Sequence, residues 1–81
     1  MKAVLSPRAI EALENAPPAV QKAFYKQIRF LEENPRHPSL RAKKFDASGT
    51  FWQARVDRSW RFYFAVVDDV YRILDVIPHP K

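Results

Sequence analysis

The sequence predicts an α+β domain: an N-terminal strand, a helical hairpin, then a three-stranded antiparallel meander, forming one four-stranded sheet with the helices on one face. Three observations carry this expectation. Between Pro7 and Glu33 apolar residues recur at helical spacing, and prolines stand where helices would start. From Phe51 onward the composition turns β-branched and aromatic, in an order that alternates between two faces. Ahead of both, Ala3-Val4-Leu5 is a short apolar run ended by Ser6-Pro7. With 81 residues there is room for one domain, spanning 1–81.

Ser6 is placed to cap the first helix, and Pro7 suits the first helical position, where no amide donor is needed. This helix is expected from about Pro7 to Asn15, burying Ile10 and Leu13. Pro17-Pro18 ends it and starts a second, running to about Glu33. There Val20, Phe24, Ile28 and Leu31 form an apolar stripe, and Lys22, Lys26, Arg29 and Glu33 fall on the solvated side. Asn34-Pro35 stops it, because proline disfavours the helical conformation in the residue before it.

Residues 35–50 read as a connection with turn chemistry at Asp46-Ala47-Ser48-Gly49, pinned to the core by Leu40 and Phe45. A structureless loop of this length in a small domain is usually functional or disordered. Three strands follow: Trp52–Val56, Arg61–Val67 and Val70–Ile77, the last two joined by an Asp68-Asp69 turn.

Alternation assigns Trp52, Ala54, Val56, Phe62, Phe64 and Val66 to the core, and Gln53, Arg55, Asp57, Arg61, Tyr63 and Ala65 to the opposite face. A three-residue loop, Arg58-Ser59-Trp60, pairs like with like: Val56 with Phe62, Ala54 with Phe64, Arg55 with Tyr63. Carried across Asp68-Asp69, this register sends Arg72, Leu74 and Val76 to the open face, and Tyr71, Ile73 and Ile77 to the core. Asp75 then falls among the core residues, which requires a bulge or a buried partner.

Composition removes several function classes. The absence of cysteine excludes disulfides, thiolate zinc sites and cysteine nucleophiles. Two histidines are too few for a self-contained metal cage, and a single glycine excludes a glycine-rich phosphate loop; no cofactor is expected. No apolar run approaches the ~18 residues of a membrane span, and no signal-peptide pattern opens the chain, so a soluble cytoplasmic protein without a membrane partner is expected.

The net charge of +5 is concentrated in residues 36–62, where Arg36, Arg41, Lys43, Lys44, Arg55, Arg58 and Arg61 face only Asp46 and Asp57. An open sheet face with Gln53, Arg55, Arg61, Tyr63 and Arg72, bordered by a loop carrying Arg41, Lys43 and Lys44, suits a nucleic-acid backbone. Arginine forks hold phosphates, and planar rings stack on bases.

Leu40-Arg41-Ala42-Lys43-Lys44-Phe45, Phe51-Trp52, Trp60-Arg61-Phe62-Tyr63-Phe64 and the terminal Pro78-His79-Pro80-Lys81, in that order along the chain, resemble the RelE/ParE superfamily of toxins from bacterial toxin–antitoxin systems. The resemblance covers essentially the whole chain and implies a cognate antitoxin as partner. It also implies one of two activities: a RelE/YoeB-like ribosome-dependent endoribonuclease that cuts mRNA and stops translation, or a ParE-like inhibitor of DNA gyrase without nuclease activity. A basic RNA-binding module without toxicity is a third reading of the residues.

Metal-free RNA cleavage needs a base for the 2′-hydroxyl, cations for the developing phosphorane charge and an acid for the departing 5′-oxygen. By the resemblance, Arg61 matches the family's phosphate-binding arginine, with Arg55 as its neighbour. Lys43 and Lys44 resemble the basic loop residues that some members use for catalysis, and His79 the family's C-terminal histidine, a residue type suited to proton exchange near neutral pH, so that Arg61, His79, Lys43 and Lys44 are the catalytic candidates. Arg41, Tyr63, Arg72 and Gln53 complete the expected RNA-binding surface. Two departures from the YoeB-like pattern stand out. Pro80 replaces the tyrosine after the histidine, and no loop carboxylate matches the general base.

Overall fold

The computed structural model describes residues 1–79; Pro80 and Lys81, and with them the departure at Pro80, lie outside the described residues. In chain order the elements are β1 (Lys2–Leu5), α1 (Pro7–Glu14), α2 (Pro18–Glu33), a 3-10 turn (Pro38–Leu40), β2 (Lys43–Lys44), β3 (Phe51–Arg55), β4 (Trp60–Val67) and β5 (Val70–Pro78). The strands form one mixed sheet in the order β1-β5-β4-β3-β2, with β1 parallel to β5. The expected four-stranded sheet is therefore corrected to five strands.

The fifth strand arises inside the segment expected to be an irregular connection. Lys43 and Lys44 pair with Gln53 and Trp52, and the Phe45 N–H donates to the Phe51 carbonyl at 2.7 Å. Gly49, at φ 76°, supplies the left-handed residue of this turn. The Asp46 carboxylate accepts from the Ser48 hydroxyl and from the Phe51 N–H (3.1 Å). Leu40 is fully buried as expected, whereas Phe45 is 58% exposed and leans on Tyr63 across the open face.

Ser6 caps α1 as expected, its hydroxyl accepting from the Ala9 N–H at 3.1 Å. The buried face of α1 is Ala9 and Leu13; Ile10 is 45% exposed, contrary to expectation. Alanine at position 9 lets the helix sit close on the sheet, and the close face is one residue away from the one that Ile10 occupies. The α2 stripe of Val20, Phe24, Ile28 and Leu31 is buried. Phe24 meets Phe62 edge-on at 5.5 Å, and Phe62 in turn contacts Phe64 at 5.8 Å. Glu32 of α2 accepts from the Ala3 N–H (2.8 Å), so the outer edge of β1 is partly satisfied by a side chain.

The β3–β4 register differs from expectation by two residues. Ala54 pairs with Phe62, Trp52 with Phe64 and Gln53 with Tyr63, so the loop is Asp57-Arg58-Ser59. Asp57 sets it: its carboxylate accepts from the Ser59 and Trp60 N–H groups at 2.8 and 2.9 Å, a local turn that needs no glycine. A shift of two preserves facing, so the core and open-face assignments on these strands survive, with one exception. Val66 has the core parity but is 39% exposed, opposite Tyr71, where it lines a cavity with Met1, Trp52 and Phe64. Asp68 and Asp69, at φ 51° and 61°, form the expected two-residue turn between Val67 and Val70.

Strand β5 contains a bulge. Phe64 pairs with Ile73 and Tyr63 with Asp75, leaving Leu74 as the extra residue. Beyond it the faces exchange. Val76 is buried against Phe62, and Ile77 stands opposite Arg61 on the open face, reversing the expected places of both. Asp75 leaves the core and pairs with Arg8 (3.2 Å), while its other oxygen accepts from the Val76 N–H (2.9 Å). Ser6 secures the bulge: its N–H donates to the Ile73 carbonyl (2.9 Å) and its hydroxyl to that of Leu74 (3.1 Å).

Two outcomes follow for stability. Phe62→Ala removes the ring at the centre of the core and should cost about 3–5 kcal/mol, measured by urea denaturation. Asp46, held below its ordinary 3.8 first by the Ser48 hydroxyl and then by the Phe51 N–H, should keep its hydrogen bonds to more acid pH than a free aspartate. A carboxyl depressed on folding stabilises above its unfolded value and loses that contribution as pH falls through the folded one. The Phe51 amide shift should therefore titrate below 3.8 in the native chain and not at all in Asp46→Asn.

Candidate functional site

A cavity of about 320 Å³ opens on the helix-free face at the β3–β4 turn, lined by Arg41, Lys43, Gln53, Arg55, Arg61 and His79. Each arrives by a different local rule. Gln53 and Arg55 point outward by alternation on β3, and Lys43 follows because it pairs with Gln53. Arg61 pairs directly with Arg55 across the ladder. His79 has the parity of Asp75 and Ile77, the residues that the bulge turned to this face. Its N–H donates to the Ser59 carbonyl at 2.6 Å, which ties the end of β5 to the turn.

Arg61 is 9% exposed, and its guanidinium is fixed by the protein. Nη1 donates to the carbonyls of Asp57 (2.9 Å) and Trp60 (3.0 Å). A guanidinium has five N–H donors, so one nitrogen anchors the fork and the others remain for an anion. Arg55 is the complement: among the described residues, its buried Nε has no hydrogen-bond partner. Desolvation, followed by the charges of Arg41, Arg61 and Arg58, lowers its pKa below that of a free guanidinium. A half-buried guanidinium with a shielded Nε, crowded by three others, is a site that an anion would relieve.

Arg41 sits at φ 46°, ψ 44°, a left-handed conformation uncommon outside glycine and asparagine, at the end of the 3-10 turn. Such strain persists where the surroundings hold it, and here the strained residue is one that lines the cavity. The segment is held by Gln27, a buried amide in the middle of α2. Its Nε2 donates to the carbonyls of Ser39 (3.0 Å) and Arg55 (2.9 Å), and its Oε1 accepts from the Ser39 hydroxyl (3.2 Å). One side chain thus joins the helix, the Arg41 loop and the Arg55 strand.

Of the nine residues singled out in the sequence, six line this cavity and three do not. Lys44 pairs with Trp52, on the parity opposite to Lys43. Tyr63 lies one register step away beside Gln53, in contact with Phe45 (5.1 Å between ring centres). Arg72 is exposed between Val4 and Ala65 at the far part of the open face. Sequence reasoning missed Gln27, although a glutamine seven residues after Val20 falls on the apolar stripe of α2 and signals a buried polar link. Among the described residues, no helix is long and apolar enough to cross a membrane.

A helical hairpin against a five-stranded mixed sheet is the fold of solved RelE and YoeB/ParE toxins. The particular resemblances are structural. The RelE of the archaeal RelE–RelB complex from Pyrococcus horikoshii superposes with a TM-score of 0.80 at 23% identity, over 95% of this chain and 92% of that one. A YoeB/ParE toxin from Agrobacterium tumefaciens gives 0.80 at 15% identity, over 99% and 100%. A chain of the toxin–antitoxin complex RelBE2 from Mycobacterium tuberculosis gives 0.77 at 18%, over 96% of each. No family model matches the sequence, and no curated protein does.

Gln27→Leu should keep helix α2 but orphan two carbonyls, costing about 1–3 kcal/mol. Thermal unfolding checks the magnitude, and hydrogen exchange should show the loss concentrated in residues 39–41 and strand β3.

Proposed function

We propose that the chain is the toxin of a toxin–antitoxin pair and acts as a ribosome-dependent endoribonuclease on mRNA, without a cofactor. The observation that carries this reading is the convergence of Arg55, Arg61, Arg41 and Lys43 with His79 on one cavity of phosphate-accommodating size. Fold likeness to RelE and to a toxin–antitoxin complex supports the class and the expectation of an antitoxin partner.

In this mechanism the 2′-oxygen of one nucleotide attacks the adjacent phosphorus. The 2′-O–P bond forms, the P–O5′ bond breaks, and the products are a 2′,3′-cyclic phosphate and a 5′-hydroxyl. Arg61, anchored through Nη1, and Arg55, with its unpartnered Nε, hold the non-bridging oxygens as charge builds on them. Lys43 and Arg41 add positive charge at the rim, and Gln53 supplies a neutral donor. His79 is the lining residue suited to proton transfer, giving a proton to the departing 5′-oxygen or taking one from the 2′-hydroxyl. Lys44 stands on the other face and has no part in this scheme.

A non-nucleolytic reading, inhibition of DNA gyrase, gains from one observation: among the described residues lining the cavity no carboxylate or second histidine accompanies His79, which leaves only Lys43 as a second proton-transfer group.

Expression of the chain without its antitoxin should arrest translation and leave mRNA cut within codons, mapped by primer extension; induction of the DNA-damage response with intact mRNA would favour the gyrase reading. Arg61→Ala should reduce cleavage by about 10²–10³-fold, the usual cost of deleting one preorganised donor. His79→Ala should likewise relieve arrest. Undiminished toxicity in both variants overturns the assignment of this cavity.

A further inference from the structure

The open face changes character along its strands. Two residues from Arg55 stands Gln53, paired with Tyr63, and two further stands Phe51, paired with Ala65. Phe45 is hydrogen-bonded through its backbone to Phe51 and tilts against Tyr63 with ring centres 5.1 Å apart. Phe45 and Phe51 are 58% and 43% exposed, unusual for phenylalanines in so small a protein. Together with Leu74 and Asp46 they line a shallow cavity of about 410 Å³. The distance from Arg55 to Phe51, four strand residues, is about 13 Å.

We propose that Phe45 and Phe51 form a stacking platform for a nucleobase of the single-stranded RNA whose scissile phosphate lies at Arg55 and Arg61; the inference rests on the RNA-cleaving reading above. Three features select a base over other occupants. The platform is continuous with the cationic cavity along the same strands, so a strand gripped at one end passes over the other. Phe45 is not stacked flat on Tyr63, the 56° tilt between them leaving ring surface open to a planar ligand. Asp46 places a carboxylate at the rim, which repels a phosphate backbone and leaves the base as the part that approaches. The paired Gln53 and Tyr63 between the two sites offer donors to the intervening sugar and phosphate.

The test uses the full chain and a fluorescein-labelled, uncleavable hexanucleotide of 2′-O-methyl RNA, beside matched strands with one base replaced by an abasic unit. The native protein should bind the fully base-bearing strand about tenfold more tightly than one particular abasic strand, the usual scale of one stack. Phe45→Ala and Phe51→Ala should each erase that difference while leaving the affinity for the abasic strand unchanged, and Phe45→Trp should restore it. Both phenylalanines are exposed, so the variants should fold, as circular dichroism would verify. If the Phe variants bind every strand as the native chain does while Arg55→Gln abolishes binding, the platform is wrong and the phosphate site stands. If the native chain binds no strand, either free or on ribosomes carrying it as message, the RNA reading fails and the platform with it.

Discussion

The single extra residue at Leu74 governs both faces of this sheet. A strand of regular register would put Val76 in solvent and Ile77 in the core, and would carry His79 away from the arginines. With the bulge, Val76 closes the core against Phe62, and the parity of Asp75, Ile77 and His79 is that of Arg61. The bulge is held by Ser6, which uses its N–H and its hydroxyl on the carbonyls of Ile73 and Leu74 while accepting from the first turn of α1. A helix cap at one end of the chain thereby decides which way the other end faces, and the site is a consequence of that decision.

The cationic cavity is the second constraint, and it opposes folding locally. Arg41, Arg55, Arg58 and Arg61 repel one another, and Arg55 has given up water without gaining a partner at Nε. The protein tolerates this by rigid support from neutral groups: two carbonyls on Arg61, and Gln27 on the backbone at Ser39 and Arg55. Carboxylates that could neutralise the cluster are directed elsewhere. Asp57 is bound to the amides of its own turn, and Asp75 to Arg8. Stability is conceded at one spot, and the region stays attractive to an anion without rearrangement.

Most of this architecture was legible in the residues. Proline positions bounded both helices, the period of Val20, Phe24, Ile28 and Leu31 fixed the buried side of α2, and alternation sorted β3 and β4 correctly, Val66 apart, even where the loop was misplaced, because an error of two residues preserves parity. What escaped was decided by interactions between segments distant in sequence. Asp75 falling on the core side signalled a bulge or a buried partner without deciding between them or placing it; the acceptors exposed at the bulge are used by Ser6, 68 residues away from Leu74. The pairing of Lys43 and Lys44 depends on the Asp46 turn bringing them back to β3, too short a strand to show periodicity. Of the candidate site, Arg55, Arg61 and Gln53 were readable by parity alone. Lys43 and Lys44 could not be told apart until their register was known, and Tyr63 and Arg72 share the correct face but not the cavity.

The parallel pairing of β1 with β5 also imposes an order of events. Lys2 to Leu5 find their partners only in Val70 to Ile73, and no intervening strand can substitute at that edge. During synthesis the first strand therefore waits, its donors and acceptors unmatched by any strand, until nearly the whole described chain has been made. The entropy of closing so long a loop grows only slowly with length, so the effect falls on timing more than on final stability. Ser6 cannot fix the bulge before Leu74 exists, and the cavity cannot acquire His79 before the bulge is fixed. The cationic cavity is thus among the last features of the described chain to be assembled.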